Sequence, residues 1–295
     1  LSQLYESVRA SADIISSVLT HMRVKLRVAT DDLARLPQNG PVIVTCNHPH
    51  GMLDGLVLSA ALRNVRSDVK ILANELLSSV PELDRTLIPV GRHARTRRAL
   101  AAAVDHLQSG GLLVIFPAGE VSHFQWRKCA VAETRWAVGA ARISTMAPDV
   151  TVVPAWIKGA NSALFQAAGL LHPQARPALL VRELLNKRDR TVEVRLGAPI
   201  NNKKLLDFST DRERTEYLRW RTTLLGARQQ FRTETRLPVH KNTAKLQAEV
   251  APATNTNQLS EEIDQLPLTR LLLRSGELGV YIAPAQQIQN VLREI

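Results

Sequence analysis

Apolar runs and amphipathic stretches alternate along the chain between residues 24 and 200. Short segments rich in β-branched and aliphatic residues predict strands at 24–28, 41–46, 69–73, 112–116 and 151–157. Stretches with apolar residues at helical spacing predict helices between them, at 52–63 and 95–108. A last strand is predicted within 191–200. This alternation predicts an α/β fold with a central, largely parallel sheet flanked by helices.

Amphipathic helices are predicted on both sides of this region. Residues 1–22 are consistent with a helix packed on the core or with one lying on a membrane surface. Residues 211–232 predict a helix whose apolar face carries Tyr217, Trp220, Leu224 and Phe231. We therefore assign residues 1–232 to one domain and the polar segment 233–265 to a linker. Residues 266–295 are too few to bury a core, so we expect them to begin a second, truncated domain.

The strand at 41–46 ends in the polar sequence Asn-His-Pro-His-Gly, and Asp54 follows in the first turn of the next predicted helix. A carboxylate in that turn is favoured by the helix dipole and can accept a hydrogen bond from one nitrogen of His48. Such a bond fixes the tautomer and leaves the other nitrogen as a proton acceptor. Ligands of α/β sheets bind at the carboxyl ends of strands. The segment therefore predicts His48 as a general base and Asp54 as its orienting carboxylate.

Other interpretations of the same segment stay open. It is also consistent with a capped helix start that holds a structural histidine. A metal site formed by His48, His50 and Asp54 is a third interpretation, but a further ligand at a recognisable spacing is missing. We treat His50 as a bystander and predict no metal.

Polar groups also follow two other predicted strands. The segment 88–100 is rich in arginine, and Arg92 directly follows a glycine at a strand end, which makes it a candidate phosphate ligand. After the strand at 112–116 come Gly119 and Glu120. The backbone N–H groups of such a turn can hold an anion or a developing oxyanion. Glu120 can orient an arginine or a substrate hydroxyl.

Four segments resemble, in this order, the motif blocks of the glycerolipid (lysophospholipid, PlsC-like) acyltransferase family: NHPHGMLDG at 47–55, IPVGR at 88–92, FPAGE at 116–120 and VVPAW at 152–156. The resemblance covers residues 40–200 approximately. It implies a glycerol-3-phosphate acyltransferase-like fold and an O-acyltransferase. The acyl group would pass from acyl-CoA or acyl-carrier protein to the hydroxyl of a lysolipid, either lysophosphatidic acid or a lyso-ornithine lipid.

The resemblance also implies roles for individual residues. His48 and Asp54 are the expected catalytic pair, and the expected substrate-binding residues are Asn47, Arg92, Gly119 and Glu120. No cofactor is expected beyond the acyl thioester, which is a co-substrate.

The motifs depart from the common family pattern in two places. Five residues separate His48 from Asp54, where the family motif has four. In the third block Ala118, Glu120 and Val121 stand where the family has glutamate, threonine and arginine. Both departures resemble a haemolysin-like bacterial branch near the acyltransferases of ornithine-lipid synthesis, and they leave open how the acceptor headgroup is held. The segment from Leu266 resembles the opening of an ornithine-lipid N-acyltransferase domain of the GNAT-like type.

The charge balance predicts an anionic partner. The chain has 38 Lys and Arg against 27 Asp and Glu, which gives a net charge of +11. We expect a peripheral protein on the cytoplasmic face of an anionic membrane. Aromatic residues make up only 4% of the chain, and helix-turn-helix or zinc-finger spacing is absent, so no nucleic-acid partner is expected. The alternative to an enzyme is a non-catalytic domain that binds lipid or membrane.

Two further expectations come from the cysteines and from hydropathy. Cys46 and Cys129 lie among apolar residues and are predicted to be buried thiols rather than a disulfide. No transmembrane helix is expected, because the chain lacks a run of about 18 apolar residues.

Overall fold

In the computed structural model the described residues are 13–91, 94–147, 149–171, 175–228, 255–275 and 278–294. The chain divides into two compact units, residues 1–231 and 232–295.

The first unit contains, in chain order, α1 (Ile14–His21), β1 (Lys25–Val28), α2 (Thr30–Ala34), β2 (Val42–Cys46), α3 (Met52–Arg63), β3 (Val69–Asn74), β4 (Leu87–Val90), α4 (Ala94–Gln108), β5 (Leu112–Ile115), β6 (His123–Gln125), β7 (Ala130–Ala132), α5 (Gly139–Met146), β8 (Thr151–Ile157), α6 (Ala163–Leu171), α7 (Ala175–Leu185), β9 (Thr191–Leu196), β10 (Ile200–Asn201), α8 (Asn202–Leu206) and α9 (Asp211–Ala227). The second unit contains α10 (Thr256–Asp264), β11 (Leu271–Ser275), β12 (Leu278–Tyr281) and α11 (Gln289–Glu294).

The strands of the first unit form one main sheet in the order β1-β9-β8-β2-β5-β3-β4, with β10 beside β8. Strands β9 and β10 run antiparallel to β8, and the other neighbouring pairs are parallel. The predicted α/β class with a largely parallel sheet is therefore confirmed. Every residue of the central strands β2 and β5 is buried, as expected for a parallel sheet covered on both faces.

Helices cover both faces of the sheet. Leu53 and Val57 of α3 belong to the core on one face, and Ala103 of α4 and Ile143 of α5 belong to the core on the other. Helix α1 packs with α3, and its apolar residues Ile14, Ile15 and Leu19 are buried there. The described part of the predicted helix at 1–22 therefore packs on the core, and residues 1–12 lie outside the described residues.

In α9, Trp220 and Leu224 are exposed, whereas Leu218 and Leu225 are buried and Tyr217 packs against the core. Phe231 lies outside the described residues.

The expected burial of Cys129 is wrong. This residue is exposed, because it lies in the turn between β6 and β7 with a left-handed φ of 46°. Cys46, on the central strand, is buried as predicted.

In the second unit, helix α10 occupies most of the part of the predicted linker that the structure describes. Strands β11 and β12 form an antiparallel pair. None of the helices within the described ranges of the chain is long and apolar enough to cross a bilayer.

Candidate active site

Asn47 braces the end of β2 against β8. Its side-chain amide donates a hydrogen bond to the backbone oxygen of Ile157 at 2.8 Å and accepts one from the N–H of Ile157 at 2.7 Å. The side chain is buried, so both of its polar atoms serve the backbone. The position that the resemblance assigned to substrate binding is therefore a support that fixes where the chain leaves the sheet.

His48 follows Asn47 and faces Asp54. His48 Nδ1 lies 3.0 Å from Asp54 Oδ2, the Asp54 side chain is fully buried, and the His48 side chain is 19% exposed. The pair is close but does not form a hydrogen bond in this structure, since His48 Nδ1 has no hydrogen-bond partner among the described residues. Catalytic hydrogen bonds are often poorly aligned before substrate binds and tighten in the complex.

The loop between these two residues is closed by the carboxylate itself. Asp54 Oδ2 accepts the backbone N–H groups of His50 at 2.8 Å and Gly51 at 2.9 Å. Asp54 is the third residue of α3, where the helix dipole also favours its charge. Gly51 has φ +85° and ψ −126°, a conformation that essentially only glycine adopts. The five-residue spacing therefore does not displace the pair.

The ring and the backbone of His48 are held by residues from two other loops. The ring stacks on Phe116, at the end of β5, with the centroids 4.3 Å apart. The backbone oxygen of His48 accepts the N–H of Ser122 at 2.8 Å. The backbone N–H of His48 donates to Glu133 Oε1, also at 2.8 Å. The stacking on Phe116 therefore holds the plane of the imidazole, and the two backbone hydrogen bonds hold the main chain of His48.

Sequence analysis did not identify Glu133. Its second carboxylate oxygen accepts the indole N–H of Trp136 at 3.0 Å. Burial raises the pKa of the Glu133 carboxyl, and hydrogen bonds from Trp136 and from the His48 backbone oppose that rise. No local signal marks this residue, because its role depends on a partner 85 positions away.

The imidazole of His50 contacts a different part of the structure from that of His48. Its Nε2 lies 3.2 Å from the backbone oxygen of Lys158, and the ring packs against Gly159, where an added Cβ would lie 2.4 Å from the imidazole. Desolvation lowers the pKa of His50, which outweighs the opposing effect of Asp54. These contacts agree with the interpretation of His50 as a bystander.

In the turn after β5, one backbone N–H is engaged within the turn itself. The N–H of Gly119 donates to the backbone oxygen of Phe116 at 3.0 Å and is engaged within the turn. Glu120 is half exposed, and its Oε2 lies 4.0 Å from Nη1 of Arg176, on α7. Ser122, two residues further on, ties this turn to His48. Arg92 lies outside the described residues.

Neither a thiol nor a metal cluster competes with the imidazole in the described part of the site. Burial raises the pKa of the Cys46 thiol well above its usual value, and the Asp54 and Glu133 carboxylates raise it further. Cys46 is therefore a poor nucleophile. Across residues 13–91, 94–147, 149–171, 175–228, 255–275 and 278–294, no group of three His, Cys, Asp or Glu side chains is arranged to hold a metal.

The chain is similar to known acyltransferases. Residues 27–158 match the family model described as Acyltransferase, a segment that includes His48, Asp54 and Glu133. The lyso-glycine lipid O-acyltransferase of Phocaeicola vulgatus is 26% identical over 209 residues, which cover 65% of this chain and 70% of that protein.

Among solved structures, the 1-acyl-sn-glycerophosphate (LPA) acyltransferase PlsC of Thermotoga maritima aligns over 77% of this chain and 87% of its own, with 18% identity and a TM-score of 0.44. From the family match over residues 27–158 and the curated relative, the chain is an acyltransferase that is similar to the lipid O-acyltransferases.

Proposed function

We propose that the chain moves an acyl group from the thioester of acyl-CoA or acyl-carrier protein to the hydroxyl of a lysolipid, with His48 as the general base. The observation that carries this proposal is the placement of His48 Nδ1 at 3.0 Å from a fully buried carboxylate. Asp54 favours the tautomer that carries its proton on Nδ1, and Nε2 is then the proton acceptor.

The reaction needs no covalent enzyme intermediate, because the thioester is already activated. The hydroxyl gives its proton to His48 Nε2 as its oxygen attacks the thioester carbon. The tetrahedral intermediate collapses, the C–S bond breaks, and the imidazolium returns the proton to the leaving sulfur. The products are the acylated lipid and the free thiol. General-base assistance of this kind contributes about 10²–10⁴-fold to the rate.

The other site residues take supporting or binding roles in this proposal. Asn47 and Glu133 position His48 through its backbone and that of the preceding strand end. The Gly119 N–H is engaged with Phe116, so we assign the turn a shaping role and not that of an oxyanion donor. Arg92 keeps the role of candidate phosphate ligand that the sequence predicts.

For the acceptor we favour an amino-acid lysolipid over lysophosphatidic acid. The relative from Phocaeicola vulgatus is described as acting on a lyso-glycine lipid. In this chain Val121 replaces the arginine expected in the third motif, and Arg176 supplies a cation next to Glu120 from α7. An arginine presents a planar fork that matches a carboxylate or a phosphate, and amino-acid lipids carry a carboxylate in the headgroup, so the preference between the two acceptors rests on the relative.

The test is an acyl-transfer assay with the purified full chain. Isotopically labelled acyl-CoA and acyl-carrier protein are offered with lyso-glycine lipid, lyso-ornithine lipid and lysophosphatidic acid, and the products are identified by mass spectrometry. We expect transfer to the amino-acid lysolipids to exceed transfer to lysophosphatidic acid. Arg176→Gln should raise KM for the preferred acceptor, and Arg182→Gln, an exposed arginine on the same helix, should not. Lack of transfer to any lysolipid would overturn the proposal.

A further inference from the structure

A short hairpin, residues 123–132, extends from the third motif and ends in exposed apolar and basic residues. Strands β6 and β7 pair antiparallel. The turn that joins them and the first two residues of β7, together Trp126 to Val131, are all exposed. Trp126 is 70% exposed and Val131 is 40% exposed. Arg127 and Lys128 follow Trp126 directly. A large apolar side chain next to two cations matches the polarity and charge of an anionic membrane interface.

Both ends of this hairpin are attached to His48. Ser122, just before β6, donates its N–H to the backbone oxygen of His48, and Glu133, just after β7, accepts the backbone N–H of His48. Gln125 closes the base of the hairpin, since its side-chain amide donates to the backbone oxygens of Ala132 at 3.1 Å and Glu133 at 2.8 Å. The hairpin is therefore connected directly to the backbone of the proposed general base.

The hairpin is attached to α6. The N–H of Phe124 donates to the side-chain oxygen of Gln166 at 2.8 Å, which joins β6 to this helix. Phe124 supports Trp126 through an edge-on ring contact with a centroid distance of 5.4 Å. The exposed indole is thus braced by a second aromatic ring.

We propose that hairpin 123–132 is the membrane-docking element of this enzyme. Trp126 and Val131 enter the interfacial region of an anionic bilayer, where tryptophan is enriched, while Arg127 and Lys128 lie among the headgroups. The inference rests on the proposed function, because a lysolipid acceptor resides in the bilayer. Docking through this hairpin brings the lipid surface to the loop that holds His48.

Vesicle binding tests the proposal with matched variants of the full chain. Cosedimentation is measured with vesicles of phosphatidylcholine and phosphatidylglycerol. Arg127→Gln combined with Lys128→Gln should weaken binding about 30-fold at low salt, since each of the two cations near an anionic surface contributes about fivefold. Trp126→Ala should weaken binding about tenfold through lost apolar burial. Trp220→Ala and the pair Lys203→Gln and Lys204→Gln remove side chains that are also exposed but lie elsewhere, and should leave binding unchanged.

Cys129 provides a direct readout of hairpin insertion. It is exposed at the hairpin tip, whereas the other cysteine, Cys46, is buried. An environment-sensitive fluorophore attached to Cys129 should shift to shorter wavelength when the labelled protein binds anionic vesicles. The shift should be reduced in Trp126→Ala at the same vesicle concentration. Vesicle-bound protein whose fluorophore stays in an aqueous environment would overturn the proposal.

The outcomes separate docking from the proposed function. If the chain transfers no acyl group but binds vesicles in a Trp126-dependent way, docking stands and the proposed function fails. If transfer occurs but the hairpin variants bind vesicles as the wild type does, docking is overturned. A raised KM for acyl-carrier protein in the Arg127 and Lys128 variant, without a change in vesicle binding, would assign the hairpin to the carrier protein instead. If docking is correct, Trp126→Ala lowers the ratio of activity on vesicle-borne acceptor to activity on dispersed acceptor.

Discussion

Glu133 Oε1 accepts a hydrogen bond of 2.8 Å from the backbone N–H of His48, across 85 positions of the sequence. On the other side of the same residue, the N–H of Ser122 donates to the His48 backbone oxygen at 2.8 Å. The general base that we propose is therefore positioned at its backbone by the segment that carries the hairpin, and at its ring by Asp54 and Phe116. Glu133 is a positioning residue in this arrangement.

Glu133→Ala should lower kcat about 100-fold, because a displacement of the base of about 1 Å has an effect of that size. KM for the acyl donor should change little, since the carboxylate contacts His48 and Trp136 and not the donor in our account. Glu133→Gln should recover part of the activity, because its amide oxygen can still accept the His48 N–H. The measurement is steady-state acyl transfer.

Glu183→Ala is the matched control for Glu133→Ala. Glu183 is also a buried carboxylate that accepts a backbone N–H, from Ser162 at 2.9 Å. The Glu183→Ala protein should be less stable than the wild type, but its folded molecules should have the wild-type kcat. Equal losses of kcat in both variants would show that the Glu133 effect is general destabilisation.

Asp54→Asn should lower the rate by at least about 100-fold, because the amide no longer favours the Nδ1–H tautomer of His48. It should also lower the free energy of unfolding by about 2–3 kcal/mol, since charge-assisted hydrogen bonds from the His50 and Gly51 N–H groups are weakened. Activity is measured per folded molecule, with the folded fraction obtained from urea unfolding.

Asp32→Asn separates the two effects of Asp54→Asn. Asp32 is another buried aspartate, and it accepts the Leu196 N–H at 3.0 Å and pairs with Arg228 at 2.6 Å. We expect a comparable loss of stability with kcat preserved. If Asp54→Asn had the same kcat as Asp32→Asn, Asp54 would have no role beyond stabilising the fold.

Gly51→Ala should destabilise the active-site loop more than Gly119→Ala destabilises its turn. Both glycines have positive φ, which costs a non-glycine residue about 1–3 kcal/mol. An added Cβ at Gly51 would also lie 3.0 Å from Leu180 and 3.2 Å from Val121, whereas at Gly119 it would meet nothing within 4 Å. Thermal unfolding and acyl transfer should both be impaired more by the change at Gly51. Equal effects would show that the loop accommodates a side chain.

The free energy of unfolding should fall as the pH is lowered below 6.5, the usual pKa of histidine, in part because of His50. Desolvation lowers the pKa of His50 in the folded state, so the unfolded chain takes up this proton first as the pH falls. The contribution is fully present above pH 6.5 and is lost between that pH and the lowered pKa. Urea unfolding of wild type and His50→Gln at several pH values gives the difference in slope. Parallel curves for the two proteins would contradict a neutral, buried His50.

Features that depend on local sequence could be predicted. Helix Met52–Arg63 and strand Thr151–Ile157 have the predicted bounds, because apolar spacing and turn residues are local signals. The approach of Asp54 to His48 was also predictable, since a single short loop leading into a helix joins the two residues.

Features that depend on distant partners could not be predicted. Asn47 binds the backbone of Ile157, 110 positions away, and a single sequence does not show that β2 and β8 are neighbours. Glu133 reaches His48 only because the hairpin returns the chain to the loop that follows β2. The prediction that Cys129 is buried was wrong because its apolar neighbours lie at the exposed tip of that hairpin.

The most direct test of the central claim is the rate of acyl transfer by His48→Ala to a lysolipid hydroxyl. Labelled acyl-CoA or acyl-carrier protein serves as donor, and His21→Ala, which removes an exposed histidine, serves as the control. We predict that His48→Ala lowers kcat by about 10²–10⁴-fold with its fold retained, and that His21→Ala keeps the wild-type rate. A folded His48→Ala protein that transfers acyl groups at close to the wild-type rate would contradict the assignment of His48 as the base.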